Sequence, residues 1–155
     1  MLKNKVLNIA SALLFIVGIF LIFHAFQDFI NPTSLHEGFL DVTNSQISAF
    51  SQNVTDLLTL LYQVNGVRLF AMGLFFCVMS LVPYRKGEKW AWYSMLGIGG
   101  FGLIGTLVLV YAYIAIQDPT FLYGSIVLIV LWAIGMVLPV KEIFGRNDGK
   151  SKESS

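Results

Sequence analysis

Arg68 is the one charged side chain of this sequence that stands inside an apolar stretch, about seven residues in from the polar end of Leu61–Val82. At 1.5 Å per helical residue that is a depth of roughly 10 Å. An arginine at the centre of a spanning helix costs about 2.5–3.5 kcal/mol to insert, less toward the edge, and usually faces protein or a wet cavity. On a helix, Leu61, Asn65, Met72 and Phe75 share the face of Arg68, and Gly66, Gly73 and Cys77 lie roughly opposite. Polar groups at the matching ends of other apolar stretches are His24, Gln27 and Asp28, then Tyr111, Tyr113, Gln117 and Asp118, then Tyr123. The candidate ligand-binding set is therefore Arg68, Asn65, His24, Asp28, Asp118 and Tyr111. A guanidinium among such groups suits an anionic headgroup, a quinone or a small acid. The competing reading has Arg68 snorkel outward and pair with Asp28 or Asp118 as a staple between helix ends.

Other chemistries find less support. His24 and His36 are separated by a proline turn, and His36-Glu37 lacks the i, i+4 spacing that puts two ligands on one helical face, so no metal site is expected. Cys77 is the single cysteine, which excludes an intrachain disulfide and a paired-thiol relay. Met72, Met79, Met95 and Met136 read as packing residues rather than copper ligands. Asn53-Val54-Thr55 satisfies the glycosylation tripeptide, whereas Asn31-Pro32-Thr33 is disqualified by its proline. There is no nucleophile with a base at a plausible spacing, no phosphate loop and no deep acid of the proton-coupled exporter kind. No cofactor is implied, and a membrane-embedded enzyme is the least supported class.

The elements that must position these residues are apolar helices. With 56% hydrophobic and 12% charged residues, the chain lies outside the soluble globular range. Val6–Phe23, Leu61–Val82, Ala91–Ile116 and Phe121–Val140 each approach the ~20 residues a spanning helix needs. The fold class expected is all-α integral membrane: a four-transmembrane-helix bundle with both termini inside and an outer amphipathic helix before helix 2. Residues 1–144 form its single domain and 145–155 a disordered cytoplasmic tail, polar and charged. The first helix has a signal-like basic start but no small-x-small cleavage pattern after it, so it is read as retained, ending before Asn31-Pro32. Its Ser11 and Gly18, two turns apart, offer a stripe for close backbone approach.

From Asn44, with that residue or Ser45 as N-cap, Ile47, Phe50, Val54, Leu57, Leu58 and Leu61 recur at helical spacing. A continuous helix from Ser45 to Val82 would be about 57 Å long, so a bend or an outward projection is required. Helix 2, which ends at Pro83, is expected at the centre of the bundle. Gly97, Gly99, Gly100, Gly102 and Gly105 fall on every face of helix 3, which calls for several close neighbours or a locally soft helix. Gln117-Asp118-Pro119-Thr120 makes a tight turn, and helix 4 runs to Pro139.

Charge sets the orientation. Lys3, Lys5, Arg85, Lys86, Lys89, Lys141, Arg146, Lys150 and Lys152 all fall on one side, and the alternate segments carry Asp28, Glu37, Asp41, Asp56 and Asp118 without a base. Short basic loops stay cytoplasmic, which puts both termini in the cytoplasm of a multi-pass protein of the plasma membrane. The basic side suits an anionic inner leaflet, and nothing suggests nucleic acid.

Arg68 followed by Gly73, and the basic-aromatic turn Arg85-Lys86-Gly87-Glu88-Lys89-Trp90-Ala91-Trp92-Tyr93, carry a likeness that covers about a quarter of the chain. In these features it resembles the small four-helix prokaryotic membrane proteins of the DoxX-like group. That resemblance implies fold and topology rather than a reaction. Two functions are expected. One is a non-enzymatic accessory or scaffold subunit, whose partners are the bilayer and other membrane subunits or further copies of itself. The other is a binding or transport protein for a small anionic or lipidic ligand in the outer-leaflet pocket around Arg68.

Overall fold

The computed structural model describes residues 2–30, 43–105, 108 and 119–145, and every regular element among them is helical. α1 spans Leu2–Ile30, and α2 spans Asn44–Phe50. The N-cap of α2 is Thr43, one residue ahead of the expected Asn44 or Ser45. Its side chain accepts from the Gln46 backbone N–H, and the Gln46 side chain reaches back to the Thr43 backbone, a reciprocal capping box that Asn44 could not form with its own neighbours. Ser51 is extended (φ −164°, ψ 119°), and this single residue supplies the bend that helix length demands. α3 then runs Gln52–Met79 and continues as a wider π-type turn over Ser80–Tyr84, where Pro83 lacks an N–H for the regular ladder.

The chain reverses at Gly87, whose φ of +75° is a left-handed conformation that glycine adopts without a Cβ penalty. Gly87 N–H donates to Tyr84 O and Glu88 N–H to Pro83 O, the paired 5→2 and 6→1 bonds of a Schellman ending. α4 covers Lys89–Gly99 and loosens into a second π-type turn, Gly100–Ile104, within the glycine-rich segment. α5 runs Pro119–Val137, and α6, Val140–Phe144, follows the break at Leu138-Pro139.

Among the described residues, three helices are long and apolar enough to cross a membrane: Lys5–Ile30, Gln52–Tyr84 and Tyr123–Phe144. The stretch expected as a further crossing, Ala91–Ile116, lies partly outside the described residues, as do Asn31–Asp41 and the tail from residue 146.

Packing centres on α1. Leu7, Leu14, Leu21 and Asp28 are buried at steps of seven, with Ala10 and Ser11, Val17 and Gly18, and Ala25 between them. That is the 3.5-residue seam of a left-handed helix pair. α3 answers with buried Gly66, Gly73 and Ser80, again seven apart. The antiparallel match is close: a Cβ built on Gly73 would lie 2.7 Å from Gly18 O and 2.7 Å from Ile22 Cγ1, and one on Gly18 would lie 2.8 Å from Gly73 O. One heptad further along, a Cβ on Gly66 would lie 3.1 Å from Ala25 O. Glycine is needed there because backbone meets backbone.

α4 packs on α3 and on α5, and α5 returns to α1, so the described helices touch in a ring. α1, rather than α3, carries the continuous buried stripe and touches α3, α5 and α6. Being apolar all round, α1 gives no amphipathic stripe from which that burial could be read. Phe76, Met79, Tyr84, Met95, Trp132, Met136 and Ile143 complete the core.

Candidate functional site

The polar residues of the described helices gather at opposite ends of the α1–α3 pair. At one end the last turns of α1 meet the first half of α3. Asn65 Nδ2 donates to Asp28 Oδ2 at 2.7 Å, a carboxylate that retains only 7% exposure. The bond is possible because the helices are already close: a Cβ on Gly66 would sit 3.2 Å from Asp28 Cβ. His24, one turn earlier on α1, packs its ring on Phe20 at 5.3 Å and Phe23 at 6.3 Å. Arg68 lies one turn beyond Asn65 on α3, and its side chain is exposed. The Arg68 and His24 groups both act on the Asp28 carboxylate through space, and Tyr62 lies within electrostatic reach of it.

Of the candidate ligand-binding residues, Asp28 and Asn65 are thus brought into contact, with His24 and Arg68 around them. Asp118 and Tyr111 lie outside the described residues. Tyr123 is 66% exposed at the start of α5. The arrangement holds a carboxylate by an amide and leaves a guanidinium on the open side, which can bind an anion or orient a headgroup. Among the described residues no three His, Cys, Asp or Glu side chains are grouped to hold a metal ion.

At the opposite end aromatic side chains bond to backbone carbonyls, two of which lie beside a helix break. Pro139 has no N–H to give the carbonyl four residues earlier, which is Gly135 O. The Tyr84 hydroxyl donates to that oxygen at 2.6 Å from a fully buried ring. The next carbonyl, Met136 O, accepts from Trp92 Nε1 at 2.9 Å. Trp132 Nε1 donates to Met95 O at 3.3 Å, its indole lying where a side chain on Gly99 would stand. These three aromatics join α3, α4 and α5 through bonds to backbone carbonyls, and Tyr84 satisfies the one that Pro139 leaves without an N–H.

Composition alone places Tyr84 and Trp92 among headgroup-level aromatics, yet Tyr84 is fully buried and Trp92 half-buried, whereas Trp90 and Tyr93 are exposed at 56% and 59%. The signal that could have found the buried pair is Pro139 and the carbonyl it orphans. Beside them Trp92, Tyr93 and Phe144 stack edge to face, and Lys89 Nζ lies 5.6 Å from the Phe144 ring centre. On the outside of this end Arg85 Nε donates to Asn8 Oδ1 at 2.8 Å, tying α3 to the start of α1. The α1–α3 pair is therefore fastened at both ends, by Asp28–Asn65 and by Asn8–Arg85.

Comparison with protein-family models, with curated proteins and with solved structures finds no match.

Proposed function

We propose that this chain is a non-enzymatic integral membrane protein, an accessory or scaffold subunit, built as four crossing helices with both termini cytoplasmic. The observation that carries the reading is the division of labour among its side chains. The hydrogen bonds Asp28–Asn65, Asn8–Arg85, Tyr84–Gly135, Trp92–Met136 and Trp132–Met95 all run from one helix to another. The outward faces meanwhile carry large apolar groups such as Ile9, Phe23, Val64, Val78, Phe101 and Val130. Only 39%, 44% and 28% of the most apolar windows of the three long helices is buried within the chain. Helices apolar all round and half-uncovered suit a bilayer as solvent.

Among the described residues nothing stands where a side chain on Gly97, Gly105 or Gly124 would lie, which suits close approach by another membrane helix. Blue-native electrophoresis after mild solubilisation tests the subunit role. Migration as a larger species is expected, and migration only as a bare monomer would count decisively against it. Orientation is tested with single cysteines at Ser45, Gly87 and Ser151 in a Cys77→Ala background. An impermeant thiol reagent should label only the Ser45 position in intact cells; outside labelling of the other two would reverse the topology.

A second reading is supported by Arg68, exposed beside the buried Asp28. Here the Arg68 end, at the outer leaflet, binds a small anionic or lipidic ligand. Arg68→Gln should then abolish ligand retention while leaving the fold intact, and unchanged retention would remove this reading.

A further inference from the structure

We infer that the groove at the Arg85 end of the α1–α3 pair is a binding site for one anionic glycerophospholipid of the leaflet it faces. The groove is about 500 Å³ and is lined by Asn8, Leu81, Val82, Arg85 and Lys86, a size within the usual range for ligand sites. Its chemistry is layered. Leu81 and Val82, 51% and 52% exposed, lie one helical turn nearer the apolar middle of α3 than Arg85 and Lys86. An acyl chain would lie on the first pair and a phosphate would meet the second.

The lining includes two cations and an amide and no carboxylate. Arg85 is held in place from α1, because its Nε is bonded to Asn8 Oδ1. That fixes the guanidinium plane and leaves the two terminal Nη groups for a phosphodiester, the geometry in which arginine binds anions most strongly. Lys86 adds a second charge from the adjacent position. The Schellman ending at Gly87 stops the helix immediately after both bases, so they stand at its rim rather than within an apolar run.

The inference rests on the membrane-spanning reading and is independent of the subunit role. The test uses the full chain, purified in mild detergent and offered dioleoylphosphatidylglycerol or dioleoylphosphatidylcholine, with retained lipid read by native mass spectrometry. One phosphatidylglycerol should be retained in preference to phosphatidylcholine. R85Q/K86Q should lose retention by a factor on the order of thirty, since each base near a surface is worth about a fivefold step. N8A, which keeps every charge and removes only the restraint on Arg85, should lose retention severalfold. K141Q, which removes a base outside the groove, should leave retention unchanged.

Equal retention of the two lipids, or wild-type retention by R85Q/K86Q, overturns the site. If that double variant does not insert, N8A decides, and unchanged retention by N8A overturns the site equally. Displacement of the lipid by glycerol 3-phosphate at the same concentration would show a small-anion site and overturn the lipid assignment. A chain recovered soluble without detergent would overturn the spanning reading and the groove together, which separates that failure from those of the groove alone.

Discussion

Glycine serves opposite ends in two parts of this molecule. Along the α1–α3 seam, Gly18 and Gly73 face each other so closely that either Cβ would press on the other helix's backbone. In α4 and the turn beyond it the glycines are more numerous, yet among the described residues Gly97 and Gly105 meet nothing within 4 Å, whereas Gly99 makes room for Trp132 and Phe76 and Gly102 for Met72. The seam uses glycine at a fixed heptad register to bring backbones together; the α4 region uses it to admit large side chains and a wide turn. Register, more than the number of glycines, decides which role a glycine has.

Substitution by alanine breaks this comparison most directly. Gly73→Ala should destabilise the chain by about 1–3 kcal/mol, because the new methyl meets Gly18 O and a shift of the whole helix is the only relief. Reversible unfolding in mixed micelles measures it, and a neutral result would show that the seam is looser than its geometry. Tyr84→Phe comes next, at about 1–2 kcal/mol, since it leaves Gly135 O buried without its donor. The same unfolding assay should find Trp92→Phe smaller, as that bond is only part-buried.

The Asp28–Asn65 bond should be weaker still. A double-mutant cycle over Asp28→Ala and Asn65→Ala is expected to give a coupling of about 0.6 kcal/mol, the average for side-chain bonds between membrane helices. A value near zero would mean that the seam alone sets the register. The smallest effect belongs to Gly97→Ala, which should be neutral or stabilise by up to about 1 kcal/mol through helix propensity. A loss comparable to that of Gly73→Ala would show that Gly97 has a neighbour in the working protein.

The long apolar helices were legible because hydropathy over twenty residues is a strong local signal, and length alone called for a bend or an outward projection before α3, of which the extended Ser51 is the first. The seam was half legible. Ser11 with Gly18, and Gly66 with Gly73, show the spacing of seven, but which stripe meets which is a matter of pairing in space. Asp28 and Asn65 were both recognisable as polar groups at matching helix ends. The Tyr84 bond was not legible, because it joins residues 51 apart in sequence and depends on an acceptor created by Pro139. Local composition instead assigns that tyrosine to the headgroup region together with Trp90 and Tyr93, which unlike it are exposed. Ser11 shows the same limit at small scale: its hydroxyl is buried with no hydrogen-bond partner among the described residues, so the seam uses its size and not its polarity.

The long separation of Tyr84 from its acceptor also imposes an order of assembly. Every contact of the α1–α3 seam, and both of its end bonds, joins residues synthesised before Lys86. Tyr84 has to wait for Gly135, another 51 residues. At 5–20 residues per second that is roughly 3–10 s of synthesis. During that interval the first helical hairpin has all its own partners while its tyrosine lacks one. The hydroxyl thus becomes a marker of completion, and only a chain extended through Gly135 can satisfy it.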